Sequence, residues 1–212
     1  MIQEVVSVDL PVHERLVIKK NRLEPENMTG KEKRISIVTG THGDELDGQY
    51  ICYEIIKKIQ MYPEKLKGIV DIYPDVNPLG IDMGSRGIPM FDLDMNRVFP
   101  GDNNGAVAEY TAAGLIDDII GSDFCLDIHS SNIFLKEMPQ LRMTEENKDK
   151  LLPYAKKLML ILYGYILLRQ FLMQHLHTAL IIWEFRHLLL RWELDTELIM
   201  NTVSSLLKVY LI

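Results

Sequence analysis

Three apolar runs, each closing on a polar turn and joined to the next by a helical stretch, constrain this chain most. "RISIVT" from residue 34, "GIVDIYPDVNP" (Gly68 to Pro78) and "DFCLDIHSS" (Asp123 to Ser131) read as buried strands. Between the first two, Ile51, Ile55, Ile56 and Ile59 recur at helical spacing from about Asp47 to Gln60. Before the third, "AVAEYTAAGLIDDII" (Ala106 to Ile120) reads as another helix. Strands joined by helical crossovers run parallel and are covered on both faces. The expected fold class is therefore α/β, a three-layer αβα stack around a mostly parallel sheet. In such sheets ligands sit beyond the carboxyl ends of the strands. His42, Glu45 and His129 all follow predicted strands at that end.

The 212 residues suffice for one domain of this kind, and 47% apolar with 25% charged residues are globular proportions. A net charge of −7 and the lack of a dense basic run argue against a nucleic-acid partner. The opening "MIQEVVSVDLPVHERL" alternates like a strand and does not read as a secretory leader. Cys52 and Cys125 lie far apart in apolar settings, as reduced, buried thiols do. The expectation is a cytoplasmic protein with no membrane partner.

"VTGTHGDELDG" (Val38 to Gly48) places a histidine and a glutamate three residues apart in a turn that enters a helix. Two readings are open on spacing alone, a polar surface turn and a metal site. His42 and Glu45 at i, i+3 can converge on one ion, and His129 at a neighbouring strand end completes a two-histidine, one-carboxylate set. Asp127, two residues before His129, shares its strand face and is placed to orient that imidazole. Asp44 reads as a helix cap and Asp94 as a turn cap. The segment "LGIDMGSRGIPMFDLDMNRVFPGDNNG" from residue 79 is too long for a plain connector, and loops of that length are usually functional or disordered.

Taken together, "GTHGDE", "GSR", "DMNRVFPG" and "DIHSS" resemble, in order and spacing, the succinylglutamate desuccinylase/aspartoacylase family, within the zinc-carboxypeptidase-like hydrolases. The resemblance runs from about Ile35 to Ser131. It implies that His42, Glu45 and His129 hold one Zn2+, that Arg86 polarises the scissile carbonyl, and that Asn96 and Arg97 hold a substrate carboxylate. The implied activity is hydrolysis of an amide or ester bond in a small carboxylate-bearing substrate such as an N-acyl amino acid. The chemistry agrees with those assignments. Zinc brings the pKa of bound water to about 7. A guanidinium grips a carboxylate through two parallel hydrogen bonds, and a second one offsets charge on a tetrahedral oxyanion. Two rival functions share the residues: a zinc carboxypeptidase acting on short peptides, and a non-catalytic metal-binding remnant.

The last quarter departs from the family. No proline follows Pro153, Gly164 is the only glycine after residue 158, and leucine fills 15 of the 54 positions from Met159 to Ile212. The resemblance calls there for a strand ending in a general-base glutamate within a context like "VEMG", and none of Glu184, Glu193 and Glu197 sits in one. His175, His177 and His187 belong to no motif. Read one register over from Leu158, permitted codons spell a stop-free string that contains "TLVVEMGVGYRI" in place of "HLLLRWELDTEL" (His187 to Leu198). Its glutamate codon straddles Leu190 and Arg191. The expectation is a hydrolase domain over residues 1–158, incomplete, followed by an out-of-frame tail over 159–212. The shift falls between Lys157 and Met159, and it leaves the chain as written impaired. Two other readings of the tail are a native helical hairpin, since leucine favours helix, and a membrane anchor. The apolar stretch Leu158 to Leu168 is shorter than the roughly 20 residues a span needs.

Overall fold

The computed structural model describes residues 1–91, 93–131, 140–144, 147–157, 163–166 and 187–192. The alternating N-terminal segment forms a hairpin of β1 (Ile2–Asp9) and β2 (Arg15–Leu23). The three apolar runs become β3 (Arg34–Thr39), β4 (Ile69–Tyr73) and β5 (Phe124–Ser130), every one a buried or nearly buried segment. Helix α1 (Asp47–Met61) joins β3 to β4, and α3 (Val107–Ile119) leads into β5. The long loop holds a short helix, α2 (Pro78–Met83), which the sequence pattern did not signal. Beyond β5 come β6 (Gln140–Thr144), α4 (Lys148–Lys157), β7 (Tyr163–Ile166) and β8 (His187–Trp192).

Among the described residues one sheet runs in the order β1-β2-β4-β3-β5-β8-β6-β7. Its centre is parallel, with β3 flanked by β4 and β5 and β5 flanked by β8. The flanks are antiparallel where β2 meets β4 and where β6 meets β8. The sheet is thus mixed, and the parallel expectation holds for the part built by helical crossovers. A tight hairpin connects β1 to β2, and such a connection can only make antiparallel neighbours.

Strand alternation divides the sheet into two faces. Val38, Tyr73 and Cys125 pack on one side with Ala112, Leu115, Ile116 and Ile119 of α3 and with Phe99, Met95 and Val6. Ile35, Ile37 and Thr39 point to the other side. There α1 buries Ile51, Cys52, Ile55 and Ile59, and a Cβ on Gly48 would run into the Thr39 side chain. Three layers result. Helix α3 starts with Glu109 reaching back to accept from the Ala106 N–H at 2.7 Å, a charge suited to that end of the helix dipole.

A charged cluster lies inside the sheet near the start of β3. Lys20 Nζ sits 2.7 Å from Asp118 Oδ2 and 3.5 Å from Asp71 Oδ2. Arg22 and Arg34 also reach Asp71, at 3.2 and 3.4 Å. The Tyr73 hydroxyl donates to Asp118 at 2.5 Å. Arg34 donates to the carbonyls of Asp118, Ile119 and Ile120, capping the end of α3.

In the tail, the helical-hairpin reading is not met at Tyr163–Ile166, which is strand β7. Nor is β5 left as a bare edge, the physical cost expected of a chain that loses its last strands, because the backbone of β8 pairs with it. His175, His177, Glu184, Glu193 and Glu197 lie outside the described residues. Among the described residues, no helix is long and apolar enough to cross a membrane.

Candidate metal centre

The turn after β3 is built by backbone packing. Gly43 has no room for a side chain, since a Cβ there would lie 1.9 Å from the Gly80 carbonyl carbon in α2. The Gly43 N–H donates to the Ser85 carbonyl at 3.0 Å. Helix α2 is itself fixed by Asn77, whose side chain accepts from the Gly80 N–H at 3.0 Å, and by Pro78 at its first position. Gly84 ends it in the left-handed region, at φ 60°. The chain thus presses α2 against the turn that carries His42 and Glu45.

His42 and Glu45, past the end of β3, meet His129 near the end of β5, all three buried. Their ligand atoms lie within 4.8 Å of one another. His42 Nδ1 and His129 Nδ1 are 3.1 Å apart. Glu45 places Oε1 at 2.8 Å from the first nitrogen and Oε2 at 2.9 Å from the second. The Ser130 N–H donates to Glu45 Oε2 at 3.1 Å. Tetrahedral zinc with bonds of about 2.0–2.1 Å requires donors roughly 3.3 Å apart, so this donor set fits such an ion.

Each imidazole turns its other nitrogen to a carboxylate. His129 Nε2 lies 3.1 Å from Asp127 Oδ2, and His42 Nε2 lies 3.2 Å from Asp94 Oδ1. Carboxylates in that position fix the tautomer and aim the inner nitrogen. Asp94 does form a turn cap, accepting from the Asn96 N–H at 2.9 Å, but it also holds His42. The sequence signal for this second role was its place in a long loop between two candidate arginines. Asp44 is not the cap of α1: Leu46 occupies that position, with no side-chain cap bond.

Arg86 is half-exposed and donates from Nη1 to Glu45 Oε1 at 3.3 Å and from Nη2 to Asp94 Oδ2 at 3.4 Å. Asn96 is buried against His129, with Nδ2 3.4 Å from Nε2. Arg97 stands at the rim, 47% exposed, and donates to the Asn96 carbonyl. All seven residues singled out from the sequence therefore gather in one place.

The electrostatics follow from burial and pairing. Burial alone would raise Glu45, but hydrogen bonds from His129 and His42 hold its carboxyl well below the usual range. Asp94 is likewise depressed, where His42 and Arg86 outweigh its burial. Burial would lower His129, yet Asp127 and then Glu45 raise it to about 10. The cluster is a concentration of anions that favours positive charge at its centre.

A parallel-centred αβα fold in which two buried histidines and a carboxylate converge at the strand ends presents a possible metal site. Residues 31–167 match the succinylglutamate desuccinylase/aspartoacylase catalytic domain, and the chain belongs to that family of deacylases. A curated relative, the N-alpha-acetyl-L-2,4-diaminobutyric acid deacetylase of Halomonas elongata, is 34% identical over 101 residues, covering 47% of this chain and 29% of that protein. The chain thus spans less than a third of that enzyme. The succinylglutamate desuccinylase/aspartoacylase of Rhodobacter sphaeroides superposes with a TM-score of 0.78 at 20% identity, over 100% of this chain and 66% of its own. A metallo-carboxypeptidase from Burkholderia cenocepacia gives 0.78 at 14% identity, over 98% and 64%. At these identities the solved structures speak to the fold alone.

Proposed function

We propose that this chain carries the metal-holding and substrate-anchoring part of a zinc-dependent deacylase that cleaves the amide bond of an N-acyl amino acid. The observation that carries the reading is the convergence of His42 Nδ1, His129 Nδ1 and the Glu45 carboxylate. These three hold the ion, while Asp94 and Asp127 hold the imidazoles in place. When bound, the ion supplies a Lewis acid for the scissile carbonyl and a way to deprotonate water near neutral pH. Arg86, held by Glu45 and Asp94, places its guanidinium beside the centre, where its charge would offset an oxyanion. Arg97, exposed at the rim, takes the substrate carboxylate in a bidentate grip, with Asn96 fixing the turn beneath it. The Halomonas relative is named for removal of an acetyl group from an amino acid, which favours this substrate class.

The tail is proposed to be out of frame after about residue 158. Strand β8 supports this, because its Leu190 and Arg191 pair with Ile128 and His129 at the end of β5. The glutamate of the shifted frame falls at that position, beside the metal centre. Without a positioned base the reaction loses on the order of 10²–10⁴-fold in rate, so the chain as written is an impaired enzyme.

The test is metal analysis with turnover of a panel of N-acyl amino acids and dipeptides, on this chain and on a frame-restored one. Bound zinc with faster turnover of N-acyl amino acids in the restored chain supports the proposal. Preference for dipeptides assigns it to carboxypeptidase chemistry. Bound zinc with no turnover in either chain makes it a binding remnant, and no bound metal removes the reading. Resequencing codons 150 to 212 tests the frame directly; an intact single-frame gene as written sinks the shift.

A further inference from the structure

Arg86 shares an oxygen with the metal centre. Its Nη1 donates to Glu45 Oε1 at 3.3 Å, and that oxygen lies 2.8 Å from His42 Nδ1, the nitrogen that faces His129. Its Nη2 donates to Asp94 Oδ2 at 3.4 Å, while Asp94 Oδ1 holds His42. His42, Glu45, Arg86 and Asp94 therefore form a closed ring of side chains. The guanidinium cannot drift far from it. The preceding residue, Ser85, is fastened to the ligand turn by its carbonyl, which accepts from Gly43 N–H, and to α2 by its own N–H, which donates to the Gly80 carbonyl.

We infer that Arg86 and the metal compete for Glu45, so that Arg86 lowers the metal affinity of its own site. This inference rests on the metal reading proposed above. Two effects oppose each other. A donor on Glu45 orients the ligand, which favours binding. A fixed positive charge beside a doubly charged ion repels it with twice the strength of a unit pair. The hydrogen bond is long and comes from a side chain that is 45% exposed, where such bonds contribute little. Repulsion dominates. A cation suited to the oxyanion would thus come with weaker metal retention.

The experiment measures zinc affinity by competition with a chromophoric chelator for the full chain and for Arg86→Gln and Arg86→Lys, with thermal melting to verify folding. Arg86→Gln is expected to bind zinc about tenfold more tightly, the scale of a modest charge interaction. Arg86→Lys keeps the charge and is expected to stay within a few-fold of the parent, as estimated from its retained charge. Equal or weaker binding by Arg86→Gln, with parent affinity measurable, overturns the inference and leaves the metal reading standing. A tightening that Arg86→Lys shares overturns it too, since charge is then not the cause. Failure of the parent and both folded variants to bind zinc overturns the metal reading itself.

Discussion

Among the described residues two buried polar clusters stand out, and they keep opposite charge balances. Near the start of β3, Asp71 and Asp118 are met by Lys20, Arg22 and Arg34, so that cluster brings its own cations. At the carboxyl ends of β3 and β5, Glu45, Asp94 and Asp127 gather around two imidazoles, and their arginines, Arg86 and Arg97, stand half in solvent at one side. Lys20 and Asp71 are 4% and 0% exposed and bind together β2, β4 and α3. The first cluster supplies its own counter-charges as folded. The second concentrates negative charge ahead of an incoming cation, an arrangement that serves a ligand at the expense of the folded chain.

That contrast is open to attack. The largest effect expected is on metal binding: Glu45→Gln should cut zinc affinity by more than the roughly 10–100-fold of a lost outer partner, read by chelator competition. The same change should cost metal-free stability only about 1–2 kcal/mol, since it removes a carboxylate charge that His129 and His42 favour but leaves the neutral side chain in place. Lys20→Met should do the reverse. It removes the buried cation from between Asp71, which keeps Arg22 and Arg34, and the partly exposed Asp118, and should cost about 3 kcal/mol in urea unfolding, with zinc affinity unchanged in the folded fraction. If Glu45→Gln destabilised as much as Lys20→Met, the two clusters would be alike and the contrast lost. Asp94→Asn should lower zinc affinity by about 10–100-fold, since it weakens the hold on His42; an unchanged affinity would reduce Asp94 to its turn cap.

The smallest effect concerns Asp75, outside both clusters. Burial, with Asp82 nearby, pushes its carboxyl up to about 6 from 3.8. The folded chain holds that proton more tightly than the unfolded one. Its contribution to stability is therefore full at low pH, falls as pH rises from about 4 through about 6, and stays lost above that. Asp75→Asn should flatten the pH dependence of the urea midpoint over that range and raise the midpoint at pH 7. A steep profile in the variant would assign the dependence to other groups.

Much of this was legible in the amino-acid sequence because the crossover units obey local rules. Apolar runs of strand length and isoleucines at helical spacing set β3, α1, β4, α3 and β5, and strand ends in such folds converge. That convergence brought His42 and Glu45 to His129 across sequence separations of 87 and 84. Asp94 showed only its local half, the bond to Asn96 N–H, because its bond to His42 spans 52 positions and no periodicity reports it. The β1–β2 connection was hidden for another reason. Val12 and His13 take φ of 60° and 64° with no glycine or asparagine to announce the turn. The antiparallel pairing of β6 with β8 was beyond reach, since the tail around it lacks the glycine and proline punctuation from which strand order is read.

The contact of Gly43 with Gly80 carries a consequence for how such a site can diversify. Two backbones touch there with no side chain between them, so even a methyl group on Gly43 would push the histidine and glutamate out of register with their partner strand. The mounting of the ligands is therefore rigid to mutation. Met90 and Phe91, at the turn where the Ile88 N–H donates to the Leu93 carbonyl, are instead exposed. New substrate preferences are expected to be written in that tip, where residues can be exchanged freely, while the metal-bearing turn stays the same.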